Sequence, residues 1–530
     1  MTKPIEKPLP ADEIISFDPA TGEEVGRVRK FTSEEVAEAV EHARDAFEIW
    51  KRTPFDERAR IVMRARQAIL SQMDSIANLI SREMGKPVAE AFSTDIVPVL
   101  DLMQYFARNT EDLLAPRKRG IGYLGLMGRS SVITYKPLGV VGIISPWNFP
   151  LTIPLGEAVM ALMAGNTVVL KPSELTPLTG EKISEVFEAA GLPKHVLQVV
   201  SGDGETGAAL VSAGVDKMMF TGSVKTGKAI AKSAAETLTP VVLELGGKDP
   251  MVVFADADLE KAADAAVWGA FTNAGQACSS VERLYVEHKA AERFTRLVVE
   301  RAQKLRVGKG TEPDSDIGAI SSETQRKIVE EHVSAFEREG AEILTGGNDS
   351  DVKSPFYPPT VISKAKNKMR AMRDETFGPT LPIATFKTES EAAELANDTE
   401  FGLAASVWTS DLAKGKRVAG KILAGTVCVN EVLYTHGIAQ TPWGGFKNSG
   451  YGRTHGLEGL KELVGVQHIH VNRFTFLPDV WWFRYSKNAV DTFREMARKY
   501  ASGSLFDLVR FLPSMWSRIR DIRRQGSEDN

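Results

Sequence analysis

The sequence predicts an α/β protein with two consecutive sheet domains. Short apolar segments such as "NTVVLKPS" and "KMMFTGS" alternate with helical segments such as "LTGEKISEVFEAAG". A second alternation follows, from "PMVVFAD" to "AAERFTRLVVERAQKL". Because alternating strands and helices form βαβ units, we expect parallel sheets that helices cover on both faces. The pair Gly246-Gly247 separates the two series, so the sequence predicts a domain boundary near it.

The chain before this alternation is predicted to be helical from residue 33 to residue 115. The segment "TSEEVAEAVEHARDAFEIW" opens with Thr32 or Ser33 followed by acidic residues, and its apolar residues recur at helical spacing. The next segment, "SSVITYKPLGVVGIISP", is rich in β-branched residues with turn residues between them, so it predicts strands.

The composition limits the class of protein and its partners. A chain of 530 residues is long enough for roughly two to four domains. Its net charge of −4 argues against a nucleic-acid partner, which needs a concentrated basic face. Two cysteines cannot form a disulfide framework, and the start "MTKPIEKPLPADE" lacks the apolar core of a secretory signal. We therefore expect a cytoplasmic protein. The eight histidines are scattered and predict no metal site.

Two glycine-rich turns follow predicted strands and open predicted helices. Gly202-x-Gly204-x-x-Gly207 matches the Rossmann fingerprint, but the acidic residue expected roughly 20 positions later is missing. In "FTGSVKTG", backbone amides and Ser223 can hold a phosphate at a helix N-terminus. Either segment is also compatible with a plain tight turn.

A lysine and a glutamate lie just beyond a predicted strand end, in "VLKPSEL". Lys171 can donate hydrogen bonds to ribose hydroxyls and Glu174 can accept them, at the edge where parallel sheets bind ligands. The alternative is an ordinary helix start, with a solvated lysine and a glutamate that the helix dipole favours. Taken alone, these two residues favour the alternative.

Cys278 is the better of two candidate nucleophiles. In "GQACSS", Gly275 and Ala277 leave room beside it, and the preceding "NAGQ" interrupts a helix. A thiol reacts where its surroundings favour the thiolate and where access is open. Cys428 instead lies in the β-branched segment "GTVCVNE", which predicts a small buried residue.

A covalent acyl intermediate also needs a base and an oxyanion donor. Glu244 lies at the end of an apolar strand in "VVLELGGK". Burial there would raise its carboxyl pKa toward a value that is useful for a general base. Asn148 lies in "PWNFP", where the neighbouring Trp147 and Phe149 would fix its side-chain amide as a donor. Each residue, taken alone, is better explained by a structural role.

Seven segments together resemble the NAD(P)-dependent aldehyde dehydrogenase superfamily. In that family's order and approximate spacing, the chain carries "PWNFP", "KPSE", "FTGS", "ELGGK", "GQAC", "ETFGP" and "PWGGFKNSGYGR", and the resemblance extends from about residue 14 to about residue 470. It implies an α/β, aldehyde-dehydrogenase-like fold with a Rossmann-type cofactor domain, an α/β catalytic domain and a small oligomerisation strand arm.

The resemblance also implies domain limits and an oligomer. The NAD-binding domain comprises residues 1–120 and 138–246, the catalytic domain 247–446, and the oligomerisation arm 121–137 with 462–473. Because such an arm reaches a second subunit, the resemblance implies a homodimer or a homotetramer.

The resemblance assigns the chemistry to three residues. Cys278 is the nucleophile that attacks an aldehyde carbon, and Asn148 with the Cys278 backbone amide forms the oxyanion hole. Hydride transfer then leaves a thioester, and Glu244 activates the water that hydrolyses it. Similar enzymes that pass the acyl group to coenzyme A or phosphate typically lack this glutamate, so its presence implies a free carboxylic acid as product.

The resemblance further implies NAD as the cofactor. Its contacts fall on Ile144, Ser145, Trp147, Lys171, Ser173, Glu174, Gly204, Gly207, Phe220, Gly222, Ser223, Leu245, Glu375 and Phe377. Glu174 would repel a 2′-phosphate, which favours NAD over NADP. The preference need not be absolute, because Lys171 can also reach a phosphate.

Phe149, Ile153 and Trp443 are expected to line the aldehyde tunnel. Trp443 replaces the phenylalanine usual in the family, and Gly156 stands where many relatives have a bulky aromatic residue, so we expect a wider tunnel and an apolar aldehyde. The alternative is a semialdehyde dehydrogenase, which needs a cationic residue near the tunnel mouth. A non-catalytic binding protein on the same fold would be expected to lack Cys278 or Glu244.

The chain continues past the family's usual end as a C-terminal extension, residues 474–530. Its apolar residues recur at helical spacing with arginines on the other face, and Pro513 is expected to split the last helix. The apolar positions are Val490, Phe493, Ala497, Tyr500, Leu505, Leu508, Val509, Leu512, Trp516 and Ile519. Three interpretations stay open: peripheral contact with a membrane, a cover over the substrate tunnel, or packing alone.

Overall fold

The computed structural model describes residues 12–348, 352, 354–502 and 505–528. Residues 1–11, which contain most of the polar start of the chain, lie outside the described residues, as do the side chains of Leu505 and Leu508. The described chain forms two compact units. The first takes its residues from Met1–Leu113 and Pro137–Val464, and the second from Leu114–Lys136 and Gly465–Asn530.

The first unit begins with a strand pair and a series of helices, which confirms the helical prediction for residues 33–115. The strands β1 (Glu13–Phe17) and β2 (Glu24–Arg29) pair antiparallel. The helices are α1 (Ser33–Trp50), α2 (Phe55–Ser71), α3 (Met73–Met84), α4 (Val88–Glu90) and α5 (Val97–Leu113), with a π-helical segment at Ala91–Ile96. Thr32 caps α1 and exchanges hydrogen bonds with Glu35, as the opening of this segment predicts.

The predicted strand arm starts later than the sequence suggests. After α5 come β3 (Arg117–Arg119), the short helix α6 (Tyr123–Leu126) and β4 (Arg129–Pro137). Residues 121–137 match a strand of the family, yet only the part from Arg129 is extended. Gly122 and Gly128 adopt φ values of 59° and 74°, which strand residues do not take, and these two turns enclose α6.

The first large sheet alternates with helices, as predicted. Its parallel strands are β5 (Val140–Ile144), β6 (Thr167–Lys171), β7 (Leu197–Val199), β8 (Lys217–Thr221) and β9 (Val241–Glu244). The helices are α7 (Thr152–Ala164), α8 (Pro177–Ala189), α9 (Gly204–Ser212) and α10 (Val224–Ala235). The spatial order is β9-β8-β5-β6-β7, so the chain winds outward from β5 in both directions. This is a doubly wound sheet, whose ligands bind where the strand order reverses.

The second large sheet is also mainly parallel, which confirms the α/β fold class. Its strands are β10 (Asp249–Val253), β11 (Val281–Glu287), β12 (Glu342–Thr345), β13 (Thr360–Ser363), β14 (Thr380–Phe386), β15 (Ala404–Trp408) and β16 (Thr426–Val429). Its helices are α11 (Leu259–Phe271), α12 (Ala291–Ala302), α13 (Glu323–Arg338), α14 (Glu389–Asn397) and α15 (Leu412–Ala419). The order is β12-β13-β14-β11-β10-β15-β16, with only the β12–β13 pair antiparallel among its described pairs.

The central strands of both sheets explain the apolar runs in the sequence. Every residue of β5, β6, β10 and β15 is buried. Helices cover both faces of such sheets, so their strands are continuously apolar instead of alternating. The polar side chains of these strands are therefore expected at the strand ends, as Lys171 of β6 and Asp249 of β10 are.

The remaining elements complete the first sheet and form the second unit. They are β17 (Gly450–Tyr451), α16 (Gly456–Lys461), β18 (Val464–Asn472), α17 (Lys487–Ser502) and α18 (Leu505–Glu528). β17 pairs antiparallel with β9, while β18, β4 and β3 form a three-stranded sheet in that order.

The prediction that Pro513 splits the last helix is wrong. α18 continues through Pro513 to Glu528. A proline removes one N–H donor, and a helix can continue past it when one face stays packed. Phe511, Met515 and Ile519 supply that face, because they are buried with Val480 in the core of the second unit.

Candidate active site

The predicted site residues collect at the carboxyl edge of the doubly wound sheet. Ser145 follows β5, Lys171 ends β6 and Glu244 ends β9. Gly222, just after β8, donates its N–H to the carbonyl of Glu244 at 2.9 Å. The strand order reverses between β5 and β8, so a ligand crevice is expected at this edge.

Cys278 is presented by a loop with unusual backbone angles. After α11, Asn273, Ala274 and Gly275 have φ values of 57°, 53° and 71°. A Cβ at Gly275 would lie 2.1 Å from the carbonyl oxygen of Gly378, so this turn requires glycine. The loop is therefore held against the second sheet, which fixes the direction of the thiol.

Buried polar contacts hold the same loop. The Asn273 N–H donates to both carboxylate oxygens of Glu90, at 3.0 and 2.9 Å. The buried Gln276 side chain donates to the Asn273 carbonyl at 3.0 Å and accepts from the Ser321 N–H at 3.0 Å. None of these contacts uses the thiol, which leaves it available for reaction.

One cavity of about 310 Å³ brings together all three predicted catalytic residues, Cys278, Glu244 and Asn148. Other predicted residues that line it are Trp147, Gly222, Ser223, Leu245, Glu375, Phe377, Ile153 and Trp443. A second cavity of about 350 Å³ shares Cys278 and Ile153 with the first, and Phe149 lines it. Cys278 is thus accessible from both cavities.

Asn148 is fixed with one amide hydrogen in use. Its Nδ2 donates to the Gln276 carbonyl at 3.1 Å, and its own backbone carbonyl accepts from Lys86 Nζ at 2.8 Å. Lys86 is buried and paired with Asp95 at 2.9 Å. A side-chain amide carries two hydrogens, so the second can bind a developing oxyanion.

Burial shifts the pKa values of Cys278 and Glu244. Burial raises the pKa of the Cys278 thiol above its ordinary value, and the Asp249 and Glu375 carboxyl groups add to the rise. Burial also raises the pKa of Glu244 well above its ordinary value, as the sequence predicts. The thiol is therefore neutral at rest, and a nucleophilic role would require an acceptor for its proton.

The tunnel residues do not all lie where the sequence suggests. Trp443 is 3% exposed and packs in a cluster against Cys278. Gly156 does not widen the tunnel, because a Cβ built there would lie 3.2 Å from Leu102 Cδ1 and 3.9 Å from His455 Nε2. The space beside Gly156 is therefore already filled by these neighbours.

The remaining predicted cofactor residues do not line the first cavity. They lie near the ends of β5, β6 and β8 or on α9: Ile144, Ser145, Lys171, Ser173, Glu174, Gly204, Gly207 and Phe220. The hydroxyl of Ser145 is buried and has no partner among the described residues. Lys171 Nζ donates to Glu174 Oε2 at 3.2 Å, and Glu174 is half exposed.

Two glycines with crowded surroundings and the N-terminus of α10 are features that a dinucleotide site requires. A Cβ at Gly222 would lie 2.6 Å from the Phe220 ring, and one at Gly246 would lie 2.3 Å from Glu375 Oε2. Ser223 caps α10, whose first N–H groups have no partners within the helix. With the unpartnered Ser145 hydroxyl, these features offer amides to phosphates and polar groups to ribose.

The sequence missed several residues of the two cavities. Glu157, Thr454, His436 and His455 line the first cavity, and Trp268 lines the second. Glu157 did carry a signal, because it is the only charged residue of the fully buried helix α7. The histidines carried none, since they come together only through the fold, with ring centroids 4.8 Å apart.

Comparisons with known proteins agree on one family. The sequence model of the aldehyde dehydrogenase family matches residues 8–469. The chain is 37% identical to a 4,4'-diapolycopene aldehyde oxidase of Methylomonas over 485 residues, covering 91% of this chain and 90% of that protein. It is 38% identical to a Mycobacterium bovis protein that is provisionally named succinate-semialdehyde dehydrogenase [NADP(+)] 2. That match covers 87% of this chain and 88% of that protein.

Solved structures of the same kind are similar in fold. The NAD+ complex of a Bacillus cereus aldehyde dehydrogenase has a TM-score of 0.83 at 35% identity. The match covers 87% of this chain and 93% of that one.

Proposed function

This chain belongs to the aldehyde dehydrogenase family, and on that premise we propose that it oxidises an apolar aliphatic or aromatic aldehyde to the carboxylic acid, with NAD as hydride acceptor. The observation that carries the proposal is the single cavity lined by Cys278, Glu244 and Asn148. A nucleophile, a buried carboxyl base and an amide donor in one cavity are the groups that acyl chemistry requires. Because both Cys278 and Glu244 are present, a non-catalytic binding protein is disfavoured.

In the first half of the reaction, Cys278 Sγ gives its proton to a water molecule, attacks the aldehyde carbon and forms a thiohemiacetal whose oxygen carries the negative charge. The second amide hydrogen of Asn148 and the Cys278 backbone N–H stabilise the oxyanion. A bound NAD supplies the acceptor for the hydride that leaves the carbon. The product on the protein is a thioester at Cys278 Sγ.

In the second half, Glu244 accepts a proton from water as that water attacks the thioester carbon. Neither carboxyl oxygen of Glu244 has a hydrogen-bond partner among the described residues, which leaves both free to bind the water. Its raised pKa makes the ionised carboxylate a stronger base than an exposed glutamate. The carbon–sulfur bond then breaks and releases the carboxylic acid.

The residues that would hold NAD are those at the carboxyl edge of the doubly wound sheet. We assign the phosphates to Gly222, Ser223 and the start of α10, and the ribose next to the nicotinamide to Glu375. Lys171 and Glu174 would hold the adenosine ribose. The half-exposed Glu174 carboxylate disfavours a 2′-phosphate, so NAD is preferred, while Lys171 allows some use of NADP.

The lining of the second cavity supports an apolar substrate. It contains Val97, Pro98, Phe149, Ile153, Trp268, Leu433 and Tyr434. Among the described residues that line either cavity there is no lysine or arginine. A semialdehyde carries a second, anionic end that would need such a cation, so this alternative is disfavoured. Similarity to the relative named 4,4'-diapolycopene aldehyde oxidase adds support.

Aldehyde chain length tests the proposed substrate class. In a series of straight-chain aldehydes, kcat/KM should rise by up to about fourfold per methylene group, because burial of each contributes about 0.8 kcal/mol. The rate is followed as NADH absorbance. Semialdehydes of matched length should react at least roughly tenfold more slowly, since their carboxylate loses its water without gaining a partner. A preference for the semialdehydes would overturn the substrate class, and no NADH from any aldehyde would overturn the activity.

We also propose a homodimer or homotetramer that forms through the strand arm. β18 is an edge strand of the sheet β18-β4-β3. Its Val466, Ile469 and Val471 side chains are 65%, 43% and 45% exposed, respectively. An apolar edge strand is a surface that favours pairing with a second copy.

The C-terminal helix supports a further partner, the surface of an anionic lipid bilayer. α18 already buries one apolar face in the core of the second unit. A separate stripe of Val509, Leu512 and Trp516 remains exposed and leads to the exposed Arg520 one turn later. The segment that precedes α17 also has exposed aromatic residues, namely Phe476, Trp481, Trp482, Phe483 and Tyr485. No helix among the described residues is long and apolar enough to cross a bilayer.

Charge favours this partner over an apolar protein surface. Residues 474–530 carry ten basic and seven acidic side chains, which gives this extension a net charge of +3. The whole chain has a net charge of −4. A basic, aromatic, amphipathic helix binds at the level of lipid headgroups and is attracted to anionic lipids.

Vesicle binding tests this partner. The full-length protein should co-sediment with phosphatidylglycerol-containing vesicles, and binding should weaken with added salt because charge attraction is screened. Trp516→Glu should reduce binding by at least about fivefold, since it places a charge in the apolar stripe. The control, Leu412→Glu, alters an exposed leucine of the first unit and should bind as the parent does. Equal binding of both variants, or self-association in place of vesicle binding, would contradict the proposal.

A further inference from the structure

A buried glutamate of α7 has no role in the chemistry described above. Glu157 is 4% exposed and is surrounded by the buried apolar residues of its own helix. Its Oε1 accepts a hydrogen bond from Thr221 Oγ1 at 3.2 Å, and its Oε2 has no partner among the described residues. Burial of a carboxyl group with an unpaired oxygen destabilises the fold, so its presence in an apolar helix indicates a functional role.

The strand register places Glu157 beside the proposed base. Thr221 and Glu244 are direct neighbours on β8 and β9. Glu157, which binds Thr221, lines the same cavity as Glu244. Two carboxyl groups therefore face one cavity, and three of their four oxygens have no partner among the described residues.

The two carboxyl groups influence one another. Burial raises the pKa of Glu244 well above its ordinary value, the Glu157 carboxyl raises it further, and Arg453 lowers it. Burial raises the pKa of Glu157 to about 8, against the hydrogen bond from Thr221. Two like charges this close in a buried site do not both ionise readily, so the pair holds a proton between its members.

The other titratable groups around this pair do not supply a balancing charge. They are Cys278, Glu375, His436 and His455 in the cavity, with the mutually paired Lys86 and Asp95 near the start of α7. Burial lowers the pKa of His436 to about 4 and that of His455 well below its ordinary value, so both imidazoles are neutral. Arg453 is the cation that acts on Glu244.

We propose that Glu157 is the proton partner of Glu244, holding the proton that the pair shares while the ionised Glu244 removes a proton from the hydrolytic water. This inference rests on the proposed function. The proton that the pair shares passes from Glu244 to the Glu157 carboxylate, and the ionised Glu244 then takes a proton from the water. The water oxygen bonds to the thioester carbon, and the carbon–sulfur bond breaks with its electron pair on Cys278 Sγ. Glu157 acts through Glu244 and is therefore a positioning residue.

The test compares Glu157→Gln with the parent enzyme in single-turnover and steady-state assays. Gln keeps the size of the side chain but cannot take up a proton. The initial burst of NADH should keep its rate and amplitude, because it precedes hydrolysis, while the hydrolysis rate should fall roughly tenfold. The acid limb of the hydrolysis pH profile should move to lower pH, because the variant no longer places a like charge beside Glu244.

A second measurement uses the unaltered enzyme, so it tests the proposal even if the variant does not fold. The rate of hydrolysis in mixtures of light and heavy water should vary non-linearly with the fraction of deuterium, because two protons move in this step. A linear dependence, or an unshifted acid limb in a folded Glu157→Gln enzyme, would overturn the inference. Failure of the proposed function would look different, because no NADH burst would then appear in either enzyme.

Discussion

Cys278→Ala is expected to abolish aldehyde oxidation. Without the thiol no covalent intermediate forms, and loss of a nucleophile that acts with a base and an oxyanion donor lowers kcat by roughly 10⁴-fold or more. The measurement is NADH formation with saturating aldehyde, in both the burst and the steady state. Both should disappear, because the thiohemiacetal precedes hydride transfer.

The second cysteine of the chain provides the matched control. Cys428 lies on β16, paired with Ser406 of β15, and does not line either cavity beside Cys278. Cys428→Ala should keep kcat within about twofold of the parent, since surface and half-buried changes of this size alter stability more than chemistry. Turnover by the Cys278→Ala protein, or its loss in the Cys428→Ala protein, would refute the assignment of the nucleophile.

Glu244→Gln is expected to separate the two halves of the reaction. The variant should still release about one NADH per site in a burst, because hydride transfer does not need the water-activating base. Steady-state turnover should then fall by roughly 10²- to 10⁴-fold, the range for loss of a general base. Stopped-flow absorbance measures both phases in one experiment.

The pH dependence of the same enzyme follows from the direction of the pKa shift. Burial raises the pKa of Glu244, and only its ionised form accepts a proton from water. Hydrolysis by the parent should therefore increase as pH rises from acid through neutral and level off above the folded-state pKa. The residual rate of Glu244→Gln should lack this rise. Glu236→Gln, an exposed change at the end of α10, should reproduce the parent profile. A Glu244→Gln enzyme with the parent's steady-state rate would contradict the assigned role.

The elements of the two large sheets could be predicted because their sequence patterns are local. β6 and β10 are continuous apolar runs, and buried parallel strands require such runs. Thr32 marks the start of α1 through contacts with a residue three positions away. Where local rules compete, the pattern was misleading: Pro513 does not end α18, since tertiary packing of Phe511 and Met515 holds that helix on both sides of it.

The site was predictable in part, for a related reason. Cys278, Glu244 and Asn148 each lie in a short segment whose type of turn or strand end is visible in the sequence, and the resemblance to the family linked them. Gly156 shows the limit, because its lack of a side chain suggested open space that Leu102 and His455 in fact occupy. Sequence names a small residue but does not say which distant neighbour fills the space beside it.

Taken by itself, the sequence determined the alternating strands and helices of the two large sheets, because these depend on contacts within a few residues. It also named the candidate reactive groups. The tertiary structure alone decided which groups meet. Glu157 faces the same cavity as Glu244 because α7 packs on β5 and β6 and Glu157 binds Thr221 at the end of β8. His436 meets His455 only through the fold. The protonation of these groups was likewise decided by the fold, since burial and neighbouring charge, which shift a pKa, exist only in the packed molecule.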